Sequence, residues 1–235
     1  MGEPLGHPLL SNFVDICGAA GVRIFLVTNG TLLREKQAQI LLRPAFRQIN
    51  FSLHSFNDNF PTRDPSPYLQ QIFAFTESAF EKRPDLYINL RLWNLDKPSG
   101  SNPRNEDFLK RIEERFGDFS RPQIDVRARK GFRIKNRLYL HFDTEFTWPA
   151  LDLPVLGEQG TCYGLKSHFG ILVDGTVVPC CLDKEAAIPL CNLGTHSLVD
   201  ILGGPRAQAI ASGFKRGQLV EDLCKRCQYI ERFKR

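Results

Sequence analysis

With 235 residues, 42% of them apolar and 24% charged, and a formal net charge of +5, the chain has an ordinary globular composition, enough for one large domain or two modest ones. No window nears the ~18 uninterrupted apolar residues of a membrane span. Met1-Gly2-Glu3-Pro4 carries neither part of a secretory leader, so the expected location is the cytoplasm. The positive charge is spread along the chain, which argues against nucleic acid as a partner. Seven cysteines in an unexported chain point to thiolate ligands, buried thiols or catalytic groups rather than disulfides, because the cytosol keeps thiols reduced.

The first half alternates helical and strand periods. Pro8 to Cys17 predicts a helix with Leu9, Leu10, Phe13, Val14 and Cys17 on one face, and Cys17 is expected to be a core thiol. Val22 to Val27 predicts a buried strand stopped by Thr28-Asn29-Gly30. Ile49 to His54 and Leu86 to Trp93 alternate cleanly and predict two more strands. Between them, Ser66-Pro67 opens a helix carrying Leu69, Ile72, Phe73, Thr76 and Phe80. Asn102-Pro103 opens another with Phe108, Leu109, Ile112 and Phe116 as its stripe and Gly117 past its end. Strands separated by helices imply a parallel sheet. From Arg121 to Arg137 stand seven basic residues against one acidic, Asp125. This reads as a solvated strand or hairpin face, or as a wall for an anionic ligand. Helical period is lost after Trp148-Pro149, so the expected domains are 1–147 and 148–235.

The second of these holds six of the seven cysteines. Cys224-Lys-Arg-Cys227 lets two thiolates and the intervening amides converge on one metal or cluster. Seventeen residues separate Cys162 from Cys180, and Asp174-Gly175 between them predicts the two-residue turn of a hairpin. That hairpin brings its ends together, so Cys162 and Cys180 form a second pair of ligands. Four thiolates suit tetrahedral zinc or an iron-sulfur cluster, and spacing leaves both open. Lys215, Arg216, Lys225, Arg226 and Arg232 could offset the negative charge of either. Cys181 is expected to face away from Cys180 by strand alternation, and Cys191 is left over.

Gly2-Glu3-Pro4 ahead of a helix, Thr28-Asn29-Gly30, Ser52-Leu53-His54 and the cysteine spacing together resemble a radical S-adenosylmethionine enzyme with a C-terminal SPASM or twitch auxiliary-cluster domain. The resemblance is densest from Gly170 to Asp183, at Asn192-Leu193 and Ser197-Leu198, and at Leu223-Cys-Lys-Arg-Cys227. It implies an α/β fold: an incomplete radical SAM-type (β/α) barrel followed by a small cysteine-rich domain with a β-hairpin. By the same resemblance Gly2, Glu3 and Pro4 match the end of the GGEP motif that binds the methionine amino group. Thr28 and Ser52, with Arg91 and Asn94, line the mouth where cofactor and substrate meet, at the strand ends where parallel barrels concentrate their chemistry.

The implied activity is oxidoreductase chemistry driven by a 5′-deoxyadenosyl radical on a peptide or small-molecule substrate. It uses S-adenosylmethionine, one auxiliary 4Fe-4S cluster on Cys162, Cys180, Cys224 and Cys227, and a reductant such as flavodoxin or ferredoxin. The alternative is a non-catalytic iron-sulfur or zinc module. The CxxxCxxC loop that cleaves the cofactor in this family is not in the sequence, which begins inside GGEP with Met1 in place of the first Gly. This implies an N-terminally truncated chain. A full SPASM domain also has a cysteine where Phe233 stands, so one auxiliary cluster is expected. A barrel lacking two strands exposes a sheet edge, which predicts poor solubility or a dimer through that edge.

Overall fold

The computed structural model describes residues 2–119, 124–145 and 147–233, with side chains to residue 230. Met1, Arg121 of the basic run and the side chains of Arg232 and Phe233 lie outside the described residues. The chain forms two units, Met1–Glu145 and Phe146–Arg235.

The first unit runs α1 (Leu10–Ala19), β1 (Ile24–Thr28), α2 (Glu35–Leu41), β2 (Phe46–Ser52), α3 (His54–Asn59), α4 (Ser66–Lys82), β3 (Tyr87–Leu95), α5 (Glu106–Phe116), β4 (Gly131–Lys135) and β5 (Leu138–Thr144). Its sheet has the order β1-β2-β3-β5-β4, parallel except for the antiparallel edge strand β4. The end of the basic run thus forms a hairpin that turns at Asn136, with φ of 49°, and three of its cations have local partners, Arg129 donating to Gly131 O. Arg137 donates to Asp85 O and Lys130 pairs with Asp143 at 2.8 Å. Arg83 fastens the end of α4 to the segment between α2 and β2 by donating to the carbonyls of Leu42, Arg43 and Phe46.

Three expectations are corrected. His54 does not extend a strand: β2 ends at Ser52 and His54 opens α3. The apolar face of α1 is largely unburied, with Val14 the one buried residue of that helix while Leu9 and Phe13 stay exposed. Cys17 is half-buried rather than a core thiol.

Side chains alternate across a strand, and paired residues share a face. On one face Leu26, Ile49, Ile88 and Leu138 form a row, followed by Thr28, Phe51, Leu90 and Leu140. These residues join Leu69, Ile72, Phe108 and Ile112 of the helices in one core, Thr28 being a buried polar exception. The opposite face carries the rows Phe25-Gln48-Tyr87, Val27-Asn50-Asn89-Tyr139 and Ser52-Arg91-His141. Parallel sheets are normally apolar on both faces, so this polar and aromatic face departs from the usual pattern. Asn50, 1% exposed, is held there by donating to Leu26 O and accepting from Gln48 and Asn89 at 2.7 and 2.9 Å.

The second unit is loop-rich, with β6 (Gly170–Ile171), β7 (Thr176–Val178), β8 (Cys191–Asn192), α6 (Leu198–Gly203), α7 (Pro205–Lys215) and α8 (Asp222–Lys225). The expected hairpin forms with one more residue in its loop. Leu172 N–H bonds to Thr176 O across Val173, Asp174 and Gly175, and Gly175 takes a φ of 86° that favours glycine. Its core is small: Ile188, Ile210, Phe214, Leu219, Leu223 and Ile230.

Among the described residues strand β1 pairs with β2 alone, and it displays Phe25 and Val27, 61% and 49% exposed. An open apolar edge recruits other strands. The purified chain is therefore expected to exceed monomer mass in light scattering as concentration rises, and a Phe25→Lys, Val27→Lys variant to return to monomer. A concentration-independent monomer for the unaltered chain contradicts this.

Candidate functional site

Three of the four expected ligands lie against one wall of the second unit. Cys162, Cys224 and Cys227 pack on the Ile210-Phe214-Leu223 core. Cys180 joins them through Gly164. A Cβ on Gly164 would stand 3.1 Å from Pro179 O and 3.7 Å from the Cys180 Cβ, so glycine lets the Cys162 loop approach without crowding the Pro179 carbonyl. Burial first, then Cys180, Cys227 and Cys162, pushes the Cys224 thiol above its ordinary range. Burial likewise pushes Cys180 up to about 11 against the pull of nearby amides.

Gly164 N–H donates to Cys162 Sγ at 3.4 Å. The amides of Leu182 and Asp183 near Cys180, and of Tyr229 and Ile230 near Cys227, pull those thiols down against burial, while Asp183 and Ile230 N–H bond to the carbonyls of Cys180 and Cys227. Amides near a sulfur stabilise its thiolate form and tune a metal or cluster bound to it. Among the described residues no group of three His, Cys, Asp or Glu side chains is arranged to hold a single metal ion. Cys181 follows the end of β7 and is exposed, so the strand alternation invoked for it does not apply; Cys162 still raises its pKa, after burial. Cys191 lies 3.0 Å from His196 Nδ1. Of the cations expected to offset cluster charge, Arg226 instead holds Leu153 O and Lys225 pairs with Asp222.

In the first unit the remaining expected residues sit at the carboxyl ends of the strands. Glu3 is bound to the end of β1: its carboxylate accepts from Thr28 Oγ1, from Asn29 N–H at 2.9 Å and from Leu5 N–H at 3.0 Å. Thr28 in turn accepts from Gly30 N–H. Gly2 is exposed and Pro4 half-buried. Asn94 is committed elsewhere, in a reciprocal amide pair with Asn105 at 2.8 Å that anchors the loop before α5.

Ser52 and Arg91 pair in register, and His141 completes their row. Arg91 lies 4.3 Å over the Trp93 ring, and its Nε is buried without a hydrogen bond. Burial draws its pKa down to about 10. Trp93 Nε1–H donates to His141 Nδ1 at 3.0 Å, while His54 Nδ1 lies between Arg91 O and Trp93 N–H. Burial lowers the pKa of both histidines, and Arg91 adds to the effect.

Residues 162–228 match the family model described as SPASM, an iron-sulfur cluster-binding domain. Two crystal structures of SuiB from Streptococcus suis resemble the whole chain. The first has a TM-score of 0.54 at 16% identity, over 90% of this chain and 56% of that one. The second, bound to S-adenosylmethionine, has a TM-score of 0.55 at 16% identity, over 97% of this chain and 59% of that one. The fold is that of the SuiB structures, with a SPASM domain at residues 162–228. The chain spans under two-thirds of the SuiB structures, and no curated protein matches it in sequence. The SPASM match begins at Cys162 and encloses Cys180, Cys224 and Cys227.

Sequence reading named Ser52 and Arg91 but passed over His54, Trp93 and His141. The period-2 run Leu138-Tyr-Leu-His-Phe was the available signal for β5. Two outcomes follow. Glu3→Gln turns one carboxylate oxygen into a donor facing a donor, so urea unfolding of the first unit should show a loss of about 1–3 kcal/mol; an unchanged midpoint contradicts the lock. Second, the folded state resists protonating His54 and His141, whereas the unfolded chain takes those protons near 6.5. Stability is thus full above that pH and declines as pH falls through it. Urea midpoints from about pH 7 to about pH 5 should fall, and a His54→Gln, His141→Gln variant should flatten the slope.

Proposed function

We propose that the chain is the substrate-facing and auxiliary-cluster part of a radical SAM oxidoreductase acting on a peptide or small molecule. The observation that carries this is the SPASM domain at residues 162–228, in which Cys162, Cys224 and Cys227 pack on one core and Cys180 lies beside Gly164 of the Cys162 loop. Cys162, Cys180, Cys224 and Cys227 would hold one 4Fe-4S cluster. When bound, S-adenosylmethionine supplies hydrogen-atom abstraction and the auxiliary cluster one-electron transfer.

The chain's own residues bind and orient. The close approach at Gly164 brings the Cys162 loop against Cys180, and the amide donors favour thiolates over thiols. In the first unit the Glu3-Thr28 lock fixes the Gly2-Glu3-Pro4 backbone beside the end of β1, where the methionine amino group would dock. The polar face of the sheet, with Ser52 and Arg91 at its rim, would receive the substrate. A flavodoxin or ferredoxin is the proposed source of electrons.

Anaerobic reconstitution with ferrous iron and sulfide tests the reading. The unaltered chain should take up about four irons and four sulfides. A Cys224→Ala, Cys227→Ala variant should take up essentially none. One zinc without sulfide overturns the proposal in favour of a non-catalytic zinc module.

A further inference from the structure

Strand β4 is the second open edge of the first unit's sheet: it pairs with β5 on one side and, among the described residues, with no strand on the other. Phe142 N–H donates to Lys130 O, so the alternation of an antiparallel ladder turns the N–H and C=O groups of Gly131 and Arg133 away from β5. Arg129 takes Gly131 O at 2.8 Å, which leaves Gly131 N–H and both groups of Arg133 for an added strand. Side chains divide by face. Arg133 stands opposite Tyr139, near the amino end of β5, on the polar face, while Phe132 stands opposite Leu140 and, like Ile134, packs on the apolar core. Arg133 and Lys135 are exposed and have no ion pair among the described residues. Farther across the amino ends of the strands, Arg137 and Arg47 lie 4.7 and 4.8 Å over the Tyr87 ring. Two neighbouring carboxylates are occupied, Asp85 by a forked pair of bonds from Arg83 and Asp143 by Lys130.

We propose that the β4 edge docks an extended peptide segment in which acidic and apolar residues alternate. Such a segment adds a strand, its backbone pairing with Gly131 and Arg133. Its carboxylates meet Arg133 on the polar face, with Lys135 at the end of the strand, and its apolar residues extend the strip of Phe132 and Ile134 on the other. Arg47 and Arg137 add to the positive potential that draws an acidic segment in. The same cations turn away a second copy of the edge, because two β4 strands side by side would bring like charges together. Nucleic acid would use the guanidiniums but neither the outward amides nor the Phe132 side of the strand. Docking requires no cofactor and no cluster, so this inference stands independently of the redox reading.

Fluorescence anisotropy of the full chain with a labelled peptide of about eight residues, alternating glutamate and valine, tests this. The peptide should bind saturably and weaken as salt rises from about 50 mM to about 500 mM. A peptide with the same glutamates and valines gathered into two blocks should bind about fivefold more weakly, and so should the alternating peptide to an Arg133→Gln, Lys135→Gln variant. Backbone pairing is read from the peptide. Alternate amides of a strand point the same way, so N-methylation of every glutamate amide or of every valine amide should abolish binding in one case and spare it in the other. Should the variant lose its circular dichroism signal, the block and N-methylated peptides decide the matter with the unaltered chain. Equal binding of the alternating and block peptides, or unchanged binding of both methylated ones, overturns the proposal. So does full affinity for a folded variant, which moves the peptide to the other open edge, β1. Tighter binding of an oligothymidylate that the variant abolishes also overturns it and assigns the cations to nucleic acid.

Discussion

The arrangement of the first unit depends on the pairing register of β1, β2, β3 and β5. Strand side chains alternate with a period of two, so a slip of one residue would exchange the apolar and polar faces. Helices cover Ile49, Phe51, Leu90, Leu140 and Phe142, each at most 1% exposed, and that burial fixes the register. Once it is fixed, Asn50 with Asn89, and Ser52 with Arg91 and His141, are aligned on the other face without any contact of their own being required. The core therefore positions the site.

The second unit works under a different constraint. Among the described residues its packed apolar cluster comprises six buried residues, and its strands are two or three residues long. Units of this kind commonly draw stability from a metal or cluster, because binding free energy then becomes folding free energy. Three of its four candidate ligands pack on that same core, so loading and folding involve the same side chains. The raised thiol pKa values fit this arrangement: burial keeps the sulfurs protonated, and binding must release those protons.

Glu3 joins two segments that a ligand reading treats separately. Its carboxylate is occupied by Thr28, Asn29 and Leu5, so its direct task is to hold the Gly2-Glu3-Pro4 turn against β1. Tyr68 closes the same corner by donating to Asn29 O, and burial with the nearby Glu3 carboxylate raises its phenol pKa. The backbone near Glu3 is left as the part able to meet a ligand.

The sequence by itself determined the βα alternation, the long helices α4 and α5, the Gly175 turn region and the cysteine spacing. These are local signals, carried by period, caps and turn residues within one or two dozen positions. Short helices escaped it: α2 and α3 are seven and six residues long, too brief for a clear period. Only the tertiary structure decided that Asn94 is tied to Asn105, that Thr28 belongs to Glu3, and that His141 stands beside Arg91, fifty residues earlier. Those relations arise from strand pairing and helix packing between distant segments, and no local pattern encodes which strand will lie next to which.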